Sequence, residues 1–320
     1  MEIVLGDIGR GWLAAVVGLL DRFGSDHVVL QYTPLMYSAG RWRIDRELLR
    51  CWRTLAAGRR SSLIVHEGYF RVWWHPPSLV RGTIQKTLLQ GFVKEAHHVF
   101  TASEQLHWEM SEWALVRRPV LLPIGSNIPV VEGDAATWRR THGIDEREIV
   151  LALFGGGNAL KWSASHVDVV EAKLNEARIP HCWLLLGGVP RNWFNLKARV
   201  IDPGWLSPAD LSAYMQLTDI FLMPHFVGIA ARRTTLMAAL EHALPVVGTS
   251  GSITESFWRE VAGVTLIDAG DAEGFAAAAL ALCSDRQQRV ELGRYNASYF
   301  REHFAWPKIV RKFLDATVDN

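Results

Sequence analysis

One stretch constrains the fold more than any other. Within Asp219–Gly251, a short apolar run, a small-residue loop, a helical pattern and a second apolar run follow one another. The first run, Asp219–Met223, is bounded by a polar residue and a proline, which is typical of a buried strand. Apolar residues recur at helical spacing over Thr234–Ala243, with Thr234 as the predicted N-cap, and Leu244–Val247 resumes as a strand. This order predicts one βαβ unit of a parallel sheet.

The start of this predicted helix carries two cations and two hydroxyls in a row, namely Arg232, Arg233, Thr234 and Thr235. A helix N-terminus offers unpaired backbone N–H groups and a positive dipole end, so it attracts anions. Open α/β sheets also bind ligands at the carboxyl ends of their strands, where this loop lies. The pattern predicts an anion site. Two solvated arginines on a surface turn are the alternative.

A second glycine-rich loop follows the predicted strand Glu148–Phe154 and contains Gly155, Gly156, Gly157 and Lys161. Glycines allow the backbone to approach a ligand closely, and lysine supplies a compact cation for a phosphate. This combination predicts a second phosphate contact. The alternative is a solvated lysine in the first turn of a helix.

A third loop contains Gly9, Arg10 and Gly11, between a predicted strand over Glu2–Leu5 and a predicted helix over Trp12–Phe23. Its spacing differs from the G-x-G-x-x-G fingerprint of dinucleotide-binding loops. A loop that faces a ligand and a simple tight turn are both compatible with this pattern.

His66 ends the predicted strand Ser62–His66 and precedes Glu67. At the carboxyl end of a parallel strand, a side chain points toward the rim of a ligand crevice. Imidazole exchanges protons near neutral pH, which suits a catalytic role. A histidine with a purely structural role is the alternative.

Length and composition limit the possible classes of protein. The chain has 320 residues, enough for two domains, and its net charge of +1 does not indicate nucleic-acid binding. Its three cysteines lie far apart among apolar residues, which favours buried thiols in a reducing compartment. The N-terminus lacks the basic region of a signal peptide, and no apolar run reaches the ~18–20 residues of a membrane span. We therefore expect a cytoplasmic protein.

In order and spacing, these motifs resemble those of GT-B glycosyltransferases, close to glycosyltransferase family 4. The segment Gly155–Lys161 is similar to the family's G-R-L-x-x-x-K-G, Gly204–Ser207 to its G-y-v-s turn, and Leu244–Val247 to its x-P-V-V segment. Four positions depart from the pattern. Gly156 replaces the family's Arg, and Trp162 replaces its final Gly. The glutamates of the family's E-x7-E pair fall on Ala230 and Ala238, so both carboxylates are missing.

The resemblance implies an α/β fold of the GT-B type, with two Rossmann-like domains facing across a cleft. It predicts an N-terminal acceptor-side domain over residues 1–133 and a C-terminal nucleotide-sugar donor domain over residues 134–303. A C-terminal helix over residues 304–320 is expected to cross back to the first domain.

The resemblance also implies a hexosyltransferase-type glycosyltransferase that retains anomeric configuration. It would move a sugar from a UDP-sugar or GDP-sugar to an acceptor in cell-surface polysaccharide or glycolipid synthesis, without a metal or other cofactor. The implied donor-binding residues are Gly155, Gly156, Gly157, Lys161, Gly204, Trp205, His225, Gly228, Arg232, Arg233, Thr234 and Thr235. The catalytic candidates are His66, Asp7 and Glu67, and the acceptor-side loop is Gly9, Arg10 and Gly11.

Two other functions are compatible with the sequence. Because the E-x7-E pair is absent, the chain could bind a nucleotide sugar without transferring it. The second alternative is a GT-B-fold UDP-sugar epimerase, which needs several cleft carboxylates that the second half of the sequence does not supply.

The stretch of residues 41–94 is strongly basic. It holds eleven Lys and Arg against three Asp and Glu, and interleaved with these charges are Trp42, Trp52, Trp73 and Trp74. A basic surface with aromatic residues is typical of reversible contact with anionic lipid. We therefore expect peripheral binding to the inner leaflet and a lipid-linked or glycan acceptor. The alternative is a solvated helix face with tryptophans in the core.

Overall fold

The computed structural model describes residues 12–34, 42–69, 76–113, 118–155 and 158–318. The chain divides into two compact units: unit 1 is Met1–Pro123 with Arg311–Asn320, and unit 2 is Ile124–Val310. Each unit contains a parallel sheet. The strand predicted over Glu2–Leu5 lies outside the described residues.

Unit 1 contains a four-stranded parallel sheet in the order β1-β2-β3-β4. The strands are β1 His27–Tyr32, β2 Arg60–Val65, β3 His98–Thr101 and β4 Val120–Leu121. Side chains alternate between the two faces of a strand, so partners in register share a face. The face that carries Leu63 and Val65 forms the core of this unit together with helical residues such as Leu89.

Four helices of unit 1 are described: α1 Trp12–Arg22, α2 Trp42–Ala56, α3 Pro76–Glu95 and α4 Glu104–Ser111. The sequence pattern predicts a helix over residues 43–57 with an apolar face of Ile44, Leu48, Cys51 and Leu55. The face is confirmed at the last three residues, which are buried. The start predicted for α3 is wrong. In the sequence, Pro76-Pro77 argues against helix, and Ser78 is the predicted N-cap of a helix over Leu79–Lys94, but α3 begins at Pro76. Proline fits the first helical turn because its missing N–H would have no intrahelical partner there.

Unit 2 contains a six-stranded parallel sheet in the order β10-β9-β8-β5-β6-β7. The strands are β5 Ile149–Phe154, β6 His181–Leu186, β7 Arg199–Ile201, β8 Ile220–Met223, β9 Val246–Ser250 and β10 Val264–Asp268. Strands β6 and β7 follow β5 toward one edge of the sheet, and β9 and β10 follow β8 toward the other edge. The order reverses between β5 and β8, and such a switch point opens a crevice at the carboxyl ends of the strands.

Helices pack on both faces of this sheet. They are α5 Ala135–Thr141, α6 Asn158–Trp162, α7 Ala164–Glu176, α8 Pro208–Met215, α9 Thr234–Glu241, α10 Ala272–Ser284, α11 Arg286–His303 and α12 Trp306–Val318, which ends in unit 1. Val150 packs in one core with residues of α8 and α9, and the next residue, Leu151, packs in the other with residues of α7 and α10. Coverage on both faces explains why the central strands are apolar without alternation.

One buried carboxylate joins α7, β6 and the segment before β7. Glu171 accepts hydrogen bonds from five donors: His181 Nε2 (2.8 Å), Trp183 Nε1 (2.7 Å), Asn175 Nδ2 (2.9 Å) and the backbone N–H groups of Lys197 (2.7 Å) and Ala198 (2.8 Å). Burial raises the pKa of Glu171, but these hydrogen bonds outweigh it and lower the pKa to about 2. The ionised form is therefore part of the folded structure.

Three further observations concern the cysteines, membrane-spanning helices and metal-binding groups of the described residues. Cys51, Cys182 and Cys283 are buried free thiols, as predicted. Among the described residues, no helix combines the length and apolarity that a membrane crossing requires. The same residues contain no group of three or more His, Cys, Asp or Glu side chains placed to hold a metal ion.

Candidate nucleotide-sugar site

The candidate site lies at the switch point of unit 2, where β5 and β8 end side by side. Gly155 follows β5 with φ +127°, a conformation that favours glycine. Gly156 and Gly157 lie outside the described residues. The helix α6 then places Lys161 on the surface, with its side chain exposed.

An aromatic contact connects α6 with the loop after β8. The rings of Trp162 and Phe226 meet edge to face, with centroids 4.8 Å apart and an interplanar angle of 82°. Both rings are still largely open to solvent, with Trp162 64% and Phe226 45% exposed. Since Trp162 adjoins Lys161 and Phe226 adjoins His225, the contact brings both predicted donor-binding segments to one place. In the sequence, Trp162 stands out only as a replacement for the family's glycine. An exposed tryptophan beside a candidate phosphate-binding lysine was the available signal.

The loop after β8 packs closely against the loop after β9. Gly228 has φ +87°, and a Cβ there would clash with Thr254 Oγ1 and the backbone N of Gly251. The backbone N–H of Ile253 donates to Val227 O at 3.2 Å. Glycine is therefore required at position 228 by its conformation and by the approach of the neighbouring loop.

A buried glutamate holds the end of the same loop. Glu255 Oε2 accepts hydrogen bonds from the backbone N–H of Ala231 at 3.0 Å and from Trp258 Nε1 at 2.9 Å. Glu255 is not among the residues that the sequence predicts for the site. Glu255 contacts Ala231, the residue directly before Arg232 and Arg233. This contact depends on how the loops after β8 and β9 pack together, which the spacing along the chain does not reveal.

The N-terminus of α9 carries the predicted anion-binding residues. The prediction of Thr234 as the N-cap is wrong: α9 begins at Thr234, and the N-cap is Arg233 (φ −89°, ψ 109°), whose side chain makes no capping bond. Thr234 and Thr235 therefore occupy the first helical turn, where backbone N–H groups have no intrahelical partner. Arg232, Arg233 and both threonines are half-buried. Two guanidinium groups, two hydroxyls and a helix N-terminus thus occupy one edge of the crevice.

His225 is buried beside this positive charge. Its backbone N–H donates to Thr249 Oγ1 at 2.9 Å, and the same hydroxyl donates to the carbonyl oxygen of His225 at 2.6 Å. Burial, and secondarily the charge of Arg233, lowers the pKa of His225 to about 3. The imidazole is therefore neutral at physiological pH.

Trp205 forms a second exposed aromatic surface of the site. Its ring lies against Gly188, where a Cβ would come within 3.1 Å of the indole, and the side chain is 84% exposed. Gly188 and Gly204 both have positive φ, +73° and +70°. The tryptophan therefore stands beside the glycine pair that follows β6, with its face available to a planar ligand.

The two positions of the missing family carboxylates are closed to a ligand. Ala230 is 1% exposed and Ala238 is 0% exposed, the latter within the apolar core under α9. An ionised carboxylate in that core would be costly without a partner. At these two positions the chain therefore offers a ligand no polar side chain.

The catalytic candidates belong to unit 1. His66 directly follows β2, and its Nε2 is 3.0 Å from Gln31 Oε1, so Nε2 donates and Nδ1 is the acceptor nitrogen. Burial lowers the pKa of His66, while the nearby Glu67 acts in the opposite direction. Glu67 is exposed. Asp7 and the loop residues Gly9, Arg10 and Gly11 lie outside the described residues.

Comparison with known proteins supports the resemblance found in the sequence. Residues 148–285 match the family model of glycosyl transferases group 1. None of the curated proteins matches the chain by sequence.

Solved structures share the fold over nearly the whole chain. Sucrose-phosphate synthase from Thermosynechococcus elongatus has a TM-score of 0.71 at 16% identity, with 96% of this chain and 76% of that chain covered. HepE from Anabaena, in complex with UDP and glucose, has a TM-score of 0.70 at 13% identity, with 100% and 84% covered. WaaG, a glycosyltransferase involved in lipopolysaccharide biosynthesis, has a TM-score of 0.55 at 14% identity, with 92% and 100% covered.

These comparisons confirm the predicted α/β fold of the GT-B type, with two Rossmann-like domains, and the resemblance to GT-B glycosyltransferases. The family match covers the part of unit 2 that carries the candidate site. Together they support sugar transfer as the class of reaction.

Proposed function

We propose that this chain transfers a sugar from a nucleotide-diphosphate sugar to an acceptor, with unit 2 as the donor-binding part. The observation that carries the proposal is the contact between Trp162 and Phe226. It places the helix of Lys161 against the loop that leads to Arg232 and Arg233, at the switch point where α/β sheets bind nucleotides.

The donor diphosphate would be held by the anion clamp, which we define as Lys161, Arg232, Arg233, Thr234 and Thr235. In sugar transfer the nucleoside diphosphate leaves with growing negative charge. Charged side chains and the N–H groups at the start of α9 would stabilise that charge more strongly in the transition state than in the bound donor. Metal independence is part of this proposal because the clamp supplies the positive charge itself.

The nucleotide base is proposed to lie on Trp205, whose exposed ring offers a stacking face. Transfer is proposed to retain the anomeric configuration, with the leaving phosphate accepting the proton of the acceptor hydroxyl. His66 would then assist on the acceptor side through Nδ1, and Asp7 and Glu67 are further candidates.

A screen of donors tests this proposal. Thermal unfolding of the full chain would be followed with UDP-, GDP-, ADP- and TDP-sugars, beginning with UDP-glucose, which HepE binds in a solved structure. A specific donor should raise the melting temperature in proportion to its occupancy. Product analysis by NMR would then show transfer to an added acceptor or hydrolysis, and the anomeric configuration. If no nucleotide sugar stabilises the chain, the proposal is wrong.

A binding protein without transfer is the second candidate, because Ala230 and Ala238 replace both carboxylates. If this candidate is correct, one donor stabilises the chain. Transfer to an acceptor and hydrolysis of the donor are then both absent, even at high protein concentration. Conversion of the donor to a different sugar would instead indicate an epimerase.

The acceptor is proposed to be a glycan or a lipid-linked precursor at an anionic membrane surface. On α2, the side chains of Arg46, Arg50 and Arg53 are exposed, although Arg50 pairs with Glu47 and Arg53 with Glu95. Trp52 does not belong to this surface, contrary to the sequence-based expectation: it is buried, and its Nε1 donates to Phe92 O at 3.0 Å.

Co-sedimentation with vesicles tests this part of the proposal. The chain should bind vesicles that contain anionic lipid at low salt and dissociate at high salt, since exposed charges are screened. A triple variant with Arg46, Arg50 and Arg53 changed to glutamine should bind more weakly. Absence of binding at low salt would indicate a water-soluble acceptor.

A further inference from the structure

A second cluster of cations lies in unit 1, at the amino edge of the sheet rather than at the carboxyl edge. Arg60 is the first residue of β2, His98 is the first residue of β3, and Arg118 precedes β4 by two residues. Parallel strands begin at the same edge of a sheet, so these side chains, together with His97, come together there. None of them belongs to the donor site proposed in unit 2.

These residues line a cavity of about 420 Å³. Its walls combine two arginines and two histidines with apolar side chains, among them Phe100 and, from α12, Ala316. The described lining contains no acidic residue. A volume of this size accommodates a small molecule or a headgroup.

The wall of the cavity includes one phenyl ring, that of Phe100, which lies on the face of the sheet opposite Leu63 and Val65. In the register of the sheet, His27 pairs with Arg60 and Ser62 pairs with His98, so all four project from the same face. On that face the ring of Phe313 stacks on His27, with centroids 6.0 Å apart and an interplanar angle of 10°, and lies 5.0 Å from Phe100. The ring of Phe313 thus supports Phe100 from behind, and the cavity itself combines an apolar wall with a cationic rim.

The rim has hydrogen-bond donors suited to an anion. Arg60 and Arg118 are exposed, and arginine remains charged at all physiological pH values. His97 uses Nδ1 to contact Ser61 Oγ at 2.7 Å, so Nε2 is at the opposite side of an exposed ring. Burial lowers the pKa of the neighbouring His27, and Arg60 and His97 lower it further against the opposing effect of Asp26. The positive charge at this edge thus outweighs the nearby carboxylate.

We propose that this cavity is a second anion-binding site, which takes a ligand with a phosphate group and a small apolar body. Arginine forks bind phosphate oxygens in pairs, and the apolar wall around Phe100 would contact the remainder of the ligand. The phosphate belongs either to a soluble phosphate monoester or to the headgroup of an anionic lipid.

Binding to the full chain tests this proposal with two probes. The soluble probe is glycerol 3-phosphate, measured by isothermal titration calorimetry. The lipid probe is vesicles of phosphatidylcholine with or without phosphatidylglycerol, measured by co-sedimentation. The test variant carries Arg60→Gln and Arg118→Gln, whose exposed positions leave the core intact. Arg294→Gln, on the exposed surface of α11, is the matched control for loss of a surface charge.

Wild type and Arg294→Gln should bind one of the two probes, and the double variant should bind that probe at least ten-fold more weakly. A loss limited to glycerol 3-phosphate assigns the site to a soluble ligand, and a loss limited to anionic vesicles assigns it to a lipid headgroup. Binding of the nucleotide-sugar donor should be unchanged in the double variant, which separates this proposal from the proposed function.

Three results would overturn the proposal. One is equal binding of both probes by wild type and the double variant. Another is loss of glycerol 3-phosphate binding in Lys161→Ala while the double variant binds it like wild type, because the phosphate would then occupy the donor site of unit 2. Failure of wild type to bind either probe also contradicts it.

Discussion

The rings of Trp162 and Phe226 meet edge to face with centroids 4.8 Å apart, and this contact joins helix α6 to a loop 64 positions later in the sequence. Edge-to-face aromatic pairs contribute about 0.5–1.5 kcal/mol beyond the area that they bury. Because both rings are exposed, the pair contributes little to the core. The contact instead holds the helix that carries Lys161 against the loop that precedes Arg232.

Replacement of Trp162 by alanine should therefore weaken donor binding more than it weakens the fold. We expect about a five- to ten-fold loss of affinity for the nucleoside diphosphate, on the scale of one aromatic pair. The melting temperature should change little because Trp162 is 64% exposed. Trp108→Ala is the matched control, since Trp108 is 69% exposed on α4 of unit 1. Equal affinity in both variants would mean that the contact does not position the site.

His66→Ala should lower turnover by at least ten-fold, while donor affinity and melting temperature stay close to wild type. The reason is that the imidazole follows β2 and accepts a proton at Nδ1, its Nε2 being engaged by Gln31. Steady-state kinetics with direct binding measurements would separate turnover from affinity. His303→Ala, at an exposed position, serves as control. Loss of stability with normal turnover of the folded fraction would make His66 a structural residue.

Acid should destabilise unit 2 through His225. The pKa of His225 is lowered from 6.5 to about 3 in the folded chain. The unfolded chain therefore binds a proton first as pH falls below 6.5, and stability that is complete above this value is lost progressively toward pH 3. At pH 5 this linkage amounts to about 2 kcal/mol. Urea unfolding of wild type and His225→Asn at pH 7 and pH 5 measures it. If both lose the same free energy of unfolding, His225 is not the group responsible.

Ala243→Gly should stabilise the chain. Ala243 follows α9 with φ +55°, a left-handed conformation that an alanine adopts at a cost, whereas glycine adopts it freely. Allowing for the greater freedom of glycine in the unfolded chain, the gain should be about 0.5–1 kcal/mol. Ala277→Gly within α10 is the matched control and should lose about 1 kcal/mol in chemical denaturation. A loss of stability in both variants would contradict the conformational argument.

The sequence predicts regular elements of this fold well where the apolar pattern is continuous. The apolar patterns also predict strands over His27–Tyr32, His98–Thr101 and Val264–Asp268 and a helix over Pro208–Met215, and the structure has these elements with the same bounds. In each of these elements, the apolar pattern and the flanking turn residues predict the same first and last residues. The start of α3 at Pro76 and the cap of α9 at Arg233 differ, because a first helical turn tolerates proline and because no side chain is required at an N-cap.

The candidate site was predictable only in its segments. Glycine-rich loops and the Arg232–Thr235 run are visible along the chain, since each lies between elements of recognisable period. Contacts between loops are not visible in this way. Gly228 against Gly251, Glu255 under Ala231 and Trp162 against Phe226 depend on how neighbouring strands pair. No local pattern encodes those pairings.

The central claim, that the anion clamp binds a diphosphate, is tested most directly by calorimetry of inorganic pyrophosphate and of the nucleoside diphosphate that stabilises the chain. Lys161→Ala and Arg233→Ala should each weaken binding of both ligands by about 1.5–3 kcal/mol, the scale of a charged hydrogen bond. Binding of the corresponding nucleoside should change far less, and Lys308→Ala, at an exposed position of α12, should bind like wild type. If Lys161→Ala and Arg233→Ala both bind pyrophosphate and the nucleoside diphosphate as tightly as wild type does, the clamp is not the diphosphate site.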